Sequence, residues 1–230
     1  MIVTKENHNV SKEIFSKLQN QLPSLSGGTI FTLGTISKPI EGKDGLGGLI
    51  EEWVGDWAKL NKISIYDPKV EEGTSQVFPD YYVGNSKDGY LEIKSFNSKR
   101  SPAFDIANFE SYCESLAANP HKLFSDYLIF SYKLDGAQLK ITNIWLKKVW
   151  EITCASAKYP LKTQNKRNVI YNIRPGSFQS LRKKRYKTFT DPNEFVNALY
   201  KTEKIYNGNL ENAIQFNRSL VSNGIDLNKI

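Results

Sequence analysis

The stretch at residues 78–96 constrains this chain most, because its sequence has the pattern of two short strands joined by a tight polar turn. The residues with the strongest turn preference lie at 85–89. Along the second strand, successive side chains point to opposite faces of a sheet. Glu92 and Lys94 are therefore predicted to share one face, where two opposite charges stand side by side.

Asp80, at the base of the first strand, adds a second carboxylate to this region. Mg²⁺ binds oxygen ligands, keeps several waters and usually accepts only one or two carboxylates from a protein. A bound metal ion lowers the pKa of water and neutralises phosphoryl oxygens, and a nearby lysine can orient that water or stabilise the charge. We therefore expect Asp80 and Glu92 to be metal ligands and Lys94 to be the water-orienting or charge-stabilising group.

The order of these residues, Pro79-Asp80 and then, after eleven intervening residues, Glu92-Ile93-Lys94, resembles the motif of the PD-(D/E)XK nucleases. That superfamily includes most type II restriction endonucleases and the nicking endonuclease of mismatch repair. The resemblance implies an α/β fold, with a mixed β-sheet flanked by helices, and Mg²⁺-dependent cleavage of DNA. The alternative for these residues alone is a surface hairpin whose lysine and glutamate are merely solvated.

A helix predicted at residues 45–61 carries a second motif, and its large apolar residues follow helical spacing. The pattern Gly45-x-x-Gly48-x-x-x-Glu52 resembles the GxxGxxxE helix that precedes the metal-binding strands in many of these nucleases. The resemblance implies that Glu52 is a third acid of the site, which binds the metal or a metal-bound water. Alternatively, Glu51 and Glu52 are acids that the helix dipole favours in a first turn. Only the glycine spacing selects Glu52 over Glu51.

The composition favours a nucleic-acid partner. The chain has 230 residues, 40% of them hydrophobic, and a formal net charge of +7. An excess of positive charge favours a polyanionic binding partner. Nucleic acid is preferred over a membrane because no amphipathic basic helix stands out. Cys113 and Cys154 form neither a metal-binding nor a disulfide spacing, which fits a reducing compartment. Without a signal-like segment or a long apolar run, we expect a protein of the bacterial cytoplasm.

The positive charge concentrates at residues 152–190, a stretch that contains ten Lys or Arg and no Asp or Glu. Lys and Arg neutralise phosphates, whereas Arg, Asn and Gln read guanine and adenine edges in the major groove. A passive basic face is the less favoured alternative, because ordinary surfaces mix both signs. Lys99 and Arg100 lie in a polar turn after the predicted strand that carries Glu92, and they either contact phosphate or are solvated. The predicted DNA-binding residues are Lys99, Arg100, Lys166, Arg167, Asn168, Asn172, Arg174, Arg182, Lys183, Lys184 and Arg185.

Within the acid-free stretch, residues 166–178 resemble the basic-aliphatic-Arg-Pro segment of some type II restriction enzymes. The alternation of Val169, Tyr171 and Ile173 predicts a strand. The polar residues around them would then share one face, toward DNA: Asn168, Asn172 and Arg174.

The rest of the chain predicts further helices and strands of a mixed sheet. The predicted helices lie at residues 10–22, 104–118, 146–152, 193–206 and 210–220. The predicted strands lie at residues 30–36, 127–133 and 138–145, and residues 62–68 form a short strand or an extended connector. Loops are predicted at 37–48 and 70–76.

These observations predict a type II restriction endonuclease that uses Mg²⁺ to cut both strands of DNA at a short specific site. Residues 1–150 are expected to form the catalytic core, and residues 151–230 a basic recognition segment with C-terminal helices packed on the same domain. The resemblance also implies a symmetric homodimer, because such enzymes commonly bind palindromes as dimers. Two alternatives remain open: a structure-selective or nicking nuclease of the same superfamily, and a DNA-binding protein without catalysis.

Overall fold

The computed structural model describes residues 3–39, 45–72, 77–180 and 182–230. In chain order, the helices are α1 (Asn9–Gln21), α2 (Leu46–Leu60), α3 (Pro68–Glu72), α4 (Phe109–Ala118), α5 (Val149–Ile152), α6 (Pro192–Asn207) and α7 (Glu211–Ser222). The strands are β1 (Ser26–Gly28), β2 (Ile30–Leu33), β3 (Ile36–Pro39), β4 (Ile65–Tyr66), β5 (Tyr81–Val83), β6 (Gly89–Asn97), β7 (Ala107–Asn108), β8 (Asp126–Asp135), β9 (Gln138–Lys148), β10 (Thr163–Lys166) and β11 (Val169–Ile173). Within the described ranges, no helix is long and apolar enough to cross a membrane. Parts of two predicted loops, at 40–44 and 73–76, lie outside the described residues.

The chain divides into two compact units. The sheet unit comprises Asn7–Pro102 and Asp126–Lys147. The basic unit comprises the described residues up to Glu6, together with Ala103–Ser125 and Lys148–Ile230. The sheet unit therefore holds both predicted metal strands, and the basic unit holds the acid-free stretch at residues 152–190.

In the described part of the sheet unit, six strands form a sheet in the order β1-β9-β8-β6-β5-β4. Strands β5 and β6 are antiparallel and pair Tyr81 with Leu91, whereas β6 and β8 are parallel and pair Leu91 with Asp126. The first seven residues of β8 are all buried, as expected for a strand covered on both faces. The predicted mixed sheet with flanking helices is confirmed.

Helix α2 packs against β6 through an apolar stripe. Ile50, Val54 and Trp57 recur at helical spacing and are buried, and they share a core cluster with Leu91 and Ile93 of β6. This packing fixes the rotation of α2 about its own axis. It therefore decides which of the two adjacent glutamates on α2 can approach the sheet.

Three predicted elements differ from the structure as follows. The strand predicted at 30–36 is two strands, because Gly34 adopts a φ of 60° and turns the chain into the β2–β3 hairpin. The loop predicted at 70–76 begins inside α3, which starts at Pro68 because the Asp67 side chain accepts the N–H of Lys69 at 2.8 Å. The helix predicted at 146–152 is shorter, because β9 continues to Lys148.

The basic unit combines helices with a small sheet. Helix α4 packs against both α6 and α7, and aromatic pairs join α4 to α6 and α6 to α7. The ring centroids of Tyr112 and Phe195 lie 6.1 Å apart, and those of Tyr200 and Phe216 lie 5.5 Å apart. Among the described residues, β10, β11 and β7 form a three-stranded sheet in that order.

Helix α4 begins at Phe109 and not at residue 104, as the sequence predicted. Asn108 caps the helix, because its side-chain oxygen accepts the backbone N–H of Ser111 at 3.1 Å. The preceding residues extend instead and pair with β11 as strand β7. The apolar Phe104 therefore belongs to the connection before α4.

Strand β11 lies where the sequence predicted a strand, but the predicted alternation along it is wrong. Ile170 and Ile173 are buried, whereas Val169 and Tyr171 are exposed. The cause is a register shift, since three steps along β11, from Ile170 to Ile173, face two steps along β10. The extra residue in β11 forms a β-bulge, so Ile170 and Ile173 point to the same side although they are three residues apart.

Candidate active site

Three hydrogen bonds join the predicted metal ligands where β5 and β6 pair. The backbone N–H of Ile93 donates to Oδ2 of Asp80 at 2.7 Å, and the backbone N–H of Asp80 donates to Oε1 of Glu92 at 3.2 Å. The Lys94 ammonium donates to Oε2 of Glu92 at 2.9 Å. The convergence follows from the pairing, because β5 begins at the residue after Asp80 and lies beside the first half of β6. The sheet brings the predicted two carboxylates and one ammonium together.

The two carboxylates are largely shielded from water. Glu92 exposes only 7% of its side chain, and Asp80 is half-buried. Burial, followed by the charge of Glu92, raises the pKa of Asp80 to about 6, although the charge of Lys94 and the N–H of Ile93 oppose the shift. The two carboxylates therefore repel each other in the metal-free protein. A cation bound by both would relieve that repulsion.

The Lys94 ammonium, on β6, supplies a positive charge beside the two carboxylates. Burial alone would lower the pKa of Lys94, but the charges of Glu92 and Asp80 outweigh it and raise the pKa, so the lysine is protonated. In the described part of the chain, no group of three or more His, Cys, Asp and Glu side chains is arranged to hold a metal. The pair Asp80 and Glu92 offers hard oxygen ligands in the number that Mg²⁺ usually accepts from protein. This donor set fits a hard divalent cation.

Glu51, and not Glu52, is the glutamate of α2 that faces the cluster. Glu52 is exposed, whereas Glu51 is half-buried, and burial and then the charge of Asp80 raise the pKa of Glu51. The rotation of the helix thus turns Glu51 toward the cluster, whereas the glycine spacing had selected Glu52, and the functional role of either glutamate stays a prediction. Glu51 lies one turn before the buried Gly55, whereas Glu52 lies one turn before the exposed Asp56.

Lys69, in α3, belongs to the same cluster and was missed by the sequence analysis. Its ammonium pairs directly with the Glu51 carboxylate. Burial alone would lower the pKa of Lys69, but the hydrogen bond and charge of Glu51, and then the charge of Asp80, raise it. No motif marks Lys69 in the sequence, because it is the fold that brings α3 beside α2.

Tyr81 holds α2 close to β5. Its hydroxyl donates to the backbone carbonyl oxygen of Glu51 at 2.9 Å. This approach requires glycine at position 55, since a Cβ there would lie 2.5 Å from the Tyr81 hydroxyl oxygen. Gly55 therefore lets the helix and the strand come close enough to keep Glu51 near Asp80.

Lys99 and Arg100 are both exposed and directly follow β6. Asn97 shapes their turn, because its side-chain oxygen accepts the N–H of Lys99 at 2.9 Å and its backbone carbonyl accepts the N–H of Arg100 at 3.0 Å. Two exposed cations therefore lie at the end of the strand that carries Glu92 and Lys94.

Lys166, Arg167 and Asn168 form the tip of the β10–β11 hairpin. Lys166 pairs with Val169, and the two residues between them have positive φ, 48° at Arg167 and 69° at Asn168. Two consecutive left-handed residues are typical of a type I′ turn. All three tip side chains are exposed. The hairpin thus presents them on a backbone of defined geometry.

Asn172 and Arg174 are bonded within the basic unit, unlike the hairpin tip. The side-chain amide of Asn172 donates to Oε1 of Gln164 at 3.1 Å. The Arg174 guanidinium pairs with the Asp105 carboxylate at 3.0 Å and also donates to the carbonyl of Ala103. The polar residues expected to share one face of a regular strand therefore have different surroundings, as the β-bulge implies.

The basic run from Arg182 to Arg185 is exposed at every residue and lies outside helices and strands. The guanidinium of Arg185 lies over the ring of Tyr186, 5.2 Å from its centroid. Exposed Lys and Arg side chains of this kind suit contacts to phosphate, which position a duplex without reading its sequence.

The chain matches known proteins over most of its length. Residues 8–225 match the family model described as NgoBV restriction endonuclease. This chain belongs to the NgoBV restriction endonuclease family. The chain is 36% identical over 198 residues to the type II restriction enzyme NlaIV of Neisseria lactamica, covering 84% of this chain and 79% of that protein. It is 32% identical over 165 residues to the type II restriction enzyme NgoBV of Neisseria gonorrhoeae, covering 68% of this chain and 90% of that protein.

A solved structure shows the same relationship in three dimensions. The structure of the NlaIV restriction endonuclease matches with a TM-score of 0.80 at 31% identity, covering 96% of this chain and 91% of that chain. The resemblance to restriction endonucleases, the α/β fold and the assignment as a DNA-cleaving enzyme are thereby confirmed. Enzymes of this class generally use a divalent metal ion.

Proposed function

We propose that this member of the NgoBV restriction endonuclease family hydrolyses phosphodiester bonds on both strands of DNA at a short specific site, with Mg²⁺ held by Asp80 and Glu92. The observation that carries the proposal is the shielded cluster on β5 and β6, in which hydrogen bonds join both carboxylates and Lys94. The similarity to NlaIV and NgoBV, which are named type II restriction enzymes, supports the same reaction class.

Each residue of the cluster has a defined role in this proposal. When bound, Mg²⁺ neutralises charge on the phosphoryl oxygens and lowers the pKa of a water. Asp80 accepts the N–H of Ile93 with Oδ2, which fixes the carboxylate so that Oδ1 can bind the ion. Lys94 keeps its proton because the two carboxylates raise its pKa. It therefore orients the attacking water or stabilises the phosphate as a positive charge, and does not act as a base.

In this proposal Glu51 is the acid at the edge of the site, a role that the glycine spacing had assigned to Glu52. Its carboxylate is half-buried and lies within electrostatic reach of Asp80 and Lys94. Lys69 pairs with Glu51 and keeps its carboxylate in one orientation. We assign Glu51 to a metal-bound water or to the metal, and Lys69 to the positioning of Glu51.

We assign the DNA contacts to two sets of exposed residues. The turn after β6 and the basic run supply phosphate contacts through Lys99, Arg100, Arg182, Lys183, Lys184 and Arg185. The hairpin tip supplies base contacts through Arg167 and Asn168, which are residue types that read purine edges, with Lys166 beside them. Asn172 and Arg174 support this hairpin through their bonds within the basic unit, and they remain candidates for contact with DNA.

We further infer a homodimer that acts in the bacterial cytoplasm. Two copies related by a twofold axis match the symmetry of a palindromic duplex, so each copy would cut one strand. The relatives come from Neisseria species, and bacterial DNA lies in the cytoplasm.

The test is incubation of purified protein with phage DNA that lacks protective methylation, followed by gel electrophoresis. We expect discrete fragments with Mg²⁺ and none with EDTA or in the Asp80→Ala variant. The matched control is Asp135→Asn, which changes an exposed carboxylate at the end of β8 and should cleave like wild type.

Three results would contradict the proposal. A smear would indicate cleavage without a specific site, and nicked but not linear plasmid would indicate a nicking enzyme. Intact DNA in every lane, on several unmethylated substrates, would exclude catalysis and leave a DNA-binding protein.

A further inference from the structure

The β2–β3 hairpin of the sheet unit exposes an apolar face. Its register pairs Leu33 with Ile36 and Phe31 with Lys38, so these four side chains share one face, while Thr32 lies on the other. Phe31, Leu33 and Ile36 are 55%, 72% and 63% exposed. A two-stranded hairpin alone is only marginally stable in water. A cover over this face would therefore stabilise the hairpin and bury three large side chains.

An apolar groove begins beside the base of this hairpin. The groove has a volume of about 430 Å³ and is lined by β1, by the start of α2 and by apolar residues of β8 and β9. Thr29, the residue before β2, lines the groove, so the hairpin extends directly from its rim. On α2, Leu49, Trp53 and Leu60 form one exposed helical stripe, and the first two also line the groove. The apolar surface is defined here as Phe31, Leu33, Ile36, Leu49, Trp53 and Leu60.

We propose that two copies of this chain dimerise through the apolar surface. Scaled by their exposed fractions, its six side chains present roughly 550 Å², at about 150 Å² for a fully exposed large side chain, the lower end of the aromatic range. A standard protein interface buries about 800 Å² on each partner. These side chains therefore supply about two thirds of the area that one protomer contributes to a standard interface. They also reach the upper part of the range for the largest apolar patch on a monomer, about 300–600 Å², and patches of that size are often functional.

The charges around the apolar surface favour a second copy as its occupant. Lys38 is the single charged residue at positions 24–39, so a nucleic acid or an anionic membrane would meet too few cations there. The exposed face of α2 carries Glu52, Asp56 and Lys59, which sum to one net negative charge. In a twofold arrangement the hairpin of each copy would lie against α2 of the other. Lys38 of each copy would then lie near the net negative charge on α2 of the other copy, so the same attraction occurs twice in the dimer.

This proposal rests on the homodimer proposed above and adds its contact surface. The six residues of the surface include none of the proposed site residues, although Leu49 and Trp53 share helix α2 with Glu51. The surface can therefore be tested without DNA and without metal, and its failure can be told apart from failure of the proposed nuclease function.

The test is sedimentation velocity of the full chain over a concentration series. We expect wild type to dimerise and Leu33→Asp to raise the dissociation constant at least about 30-fold, because a charge replaces a central apolar side chain. The matched control is Thr32→Asp, which adds the same charge to the opposite face of the same hairpin. It should change the dissociation constant by less than about threefold. Far-UV circular dichroism of both variants should match wild type, since both positions are exposed.

Several outcomes would overturn the assignment. These are a wild type that is monomeric at every concentration, a Leu33→Asp variant that dimerises like wild type, or equal loss in both variants. A monomeric wild type that co-sediments with phosphatidylglycerol vesicles would identify a membrane as the occupant and also overturn it. Specific cleavage by a monomer would overturn dimerisation through the apolar surface but not the nuclease function. A dimer that never cleaves DNA would overturn the nuclease function but not the dimer surface.

Discussion

Two charged hairpins, β5–β6 in the sheet unit and β10–β11 in the basic unit, place their charges in opposite environments. The first directs Asp80, Glu92 and Lys94 into a shielded cluster in which they are joined by hydrogen bonds. The second exposes Lys166 and Arg167 at its tip. The same kind of element therefore forms a site suited to hold an ion in one unit and a surface suited to contact phosphate in the other.

Burial accounts for this difference. Shielded charges interact strongly because little solvent screens them, and the raised pKa of Asp80 reports that interaction. Exposed cations are screened by salt and bind polyanions through the release of counterions. We therefore expect catalysis to depend sharply on single residues of the first hairpin, and DNA binding to depend weakly on each of many residues of the second.

The largest effect is expected for Glu92→Gln, which removes a charge from the shielded cluster and keeps the shape of the side chain. The single-turnover cleavage rate should fall at least about 10³-fold, because the ion loses one of its two carboxylates. Affinity for the same DNA, measured by fluorescence anisotropy, should change less than about tenfold, since the binding residues are untouched. A cleavage rate close to that of the Asp135→Asn control would remove Glu92 from the site.

The next effect concerns stability and pH in the metal-free protein. The pKa of Asp80 is about 6 when folded and 3.8 as the reference value for the unfolded chain. Between these values the folded state binds more protons, so the free energy of unfolding falls as pH rises from about 4 to about 6 and then stays low. Asp80→Asn removes this penalty and should be more stable than wild type by roughly 2–3 kcal/mol at pH 8, with little difference near pH 4.

Urea unfolding in EDTA at both pH values measures this difference. Asp135→Asn is again the control, because it removes a carboxylate that is exposed to solvent. An Asp80→Asn variant that is less stable than wild type at pH 8 would show that the charged carboxylate stabilises the fold, contrary to the repulsion inferred here.

A smaller effect distinguishes the two glutamates of α2. Glu51→Gln should lower the single-turnover rate about 10- to 100-fold, as expected for a residue that binds at the edge of a metal site. Glu52→Gln should stay within about twofold of wild type, as expected for an exposed position. If the two effects were reversed, the motif spacing and not the helix rotation would identify the functional acid.

The sequence predicts the cluster on β5 and β6 because period-two alternation is fixed by the backbone of a strand. Glu92 and Lys94 must share a face wherever the strand lies, and a short turn brings Asp80 back to them. On α2 the glycine motif locates the helix but does not determine its rotation. The buried stripe of Ile50, Val54 and Trp57 determines that rotation. The same apolar spacing can be read from the sequence, and it would have selected Glu51.

Other features depend on contacts that local sequence does not encode. Lys69 reaches Glu51 only because α3 and α2 meet in the folded sheet unit. The β-bulge in β11 arises from pairing with β10, so Ile170 and Ile173 face inward against the apparent alternation. Register shifts and contacts between distant segments are tertiary properties, and patterns within one element cannot predict them.

The smallest effects are expected on the basic unit, where two variants separate base contacts from phosphate contacts. Arg167→Ala should weaken binding to the cognate site about tenfold and leave binding to unrelated DNA nearly unchanged, because a base contact acts on one sequence only. Lys184→Ala should weaken binding to both DNAs equally, by a few fold, and reduce the slope of log affinity against log salt by about 1. Anisotropy titrations with both DNAs at several salt concentrations measure these quantities. Equal losses on both DNAs for Arg167→Ala would make the hairpin tip a further phosphate contact and remove the structural basis proposed here for sequence recognition.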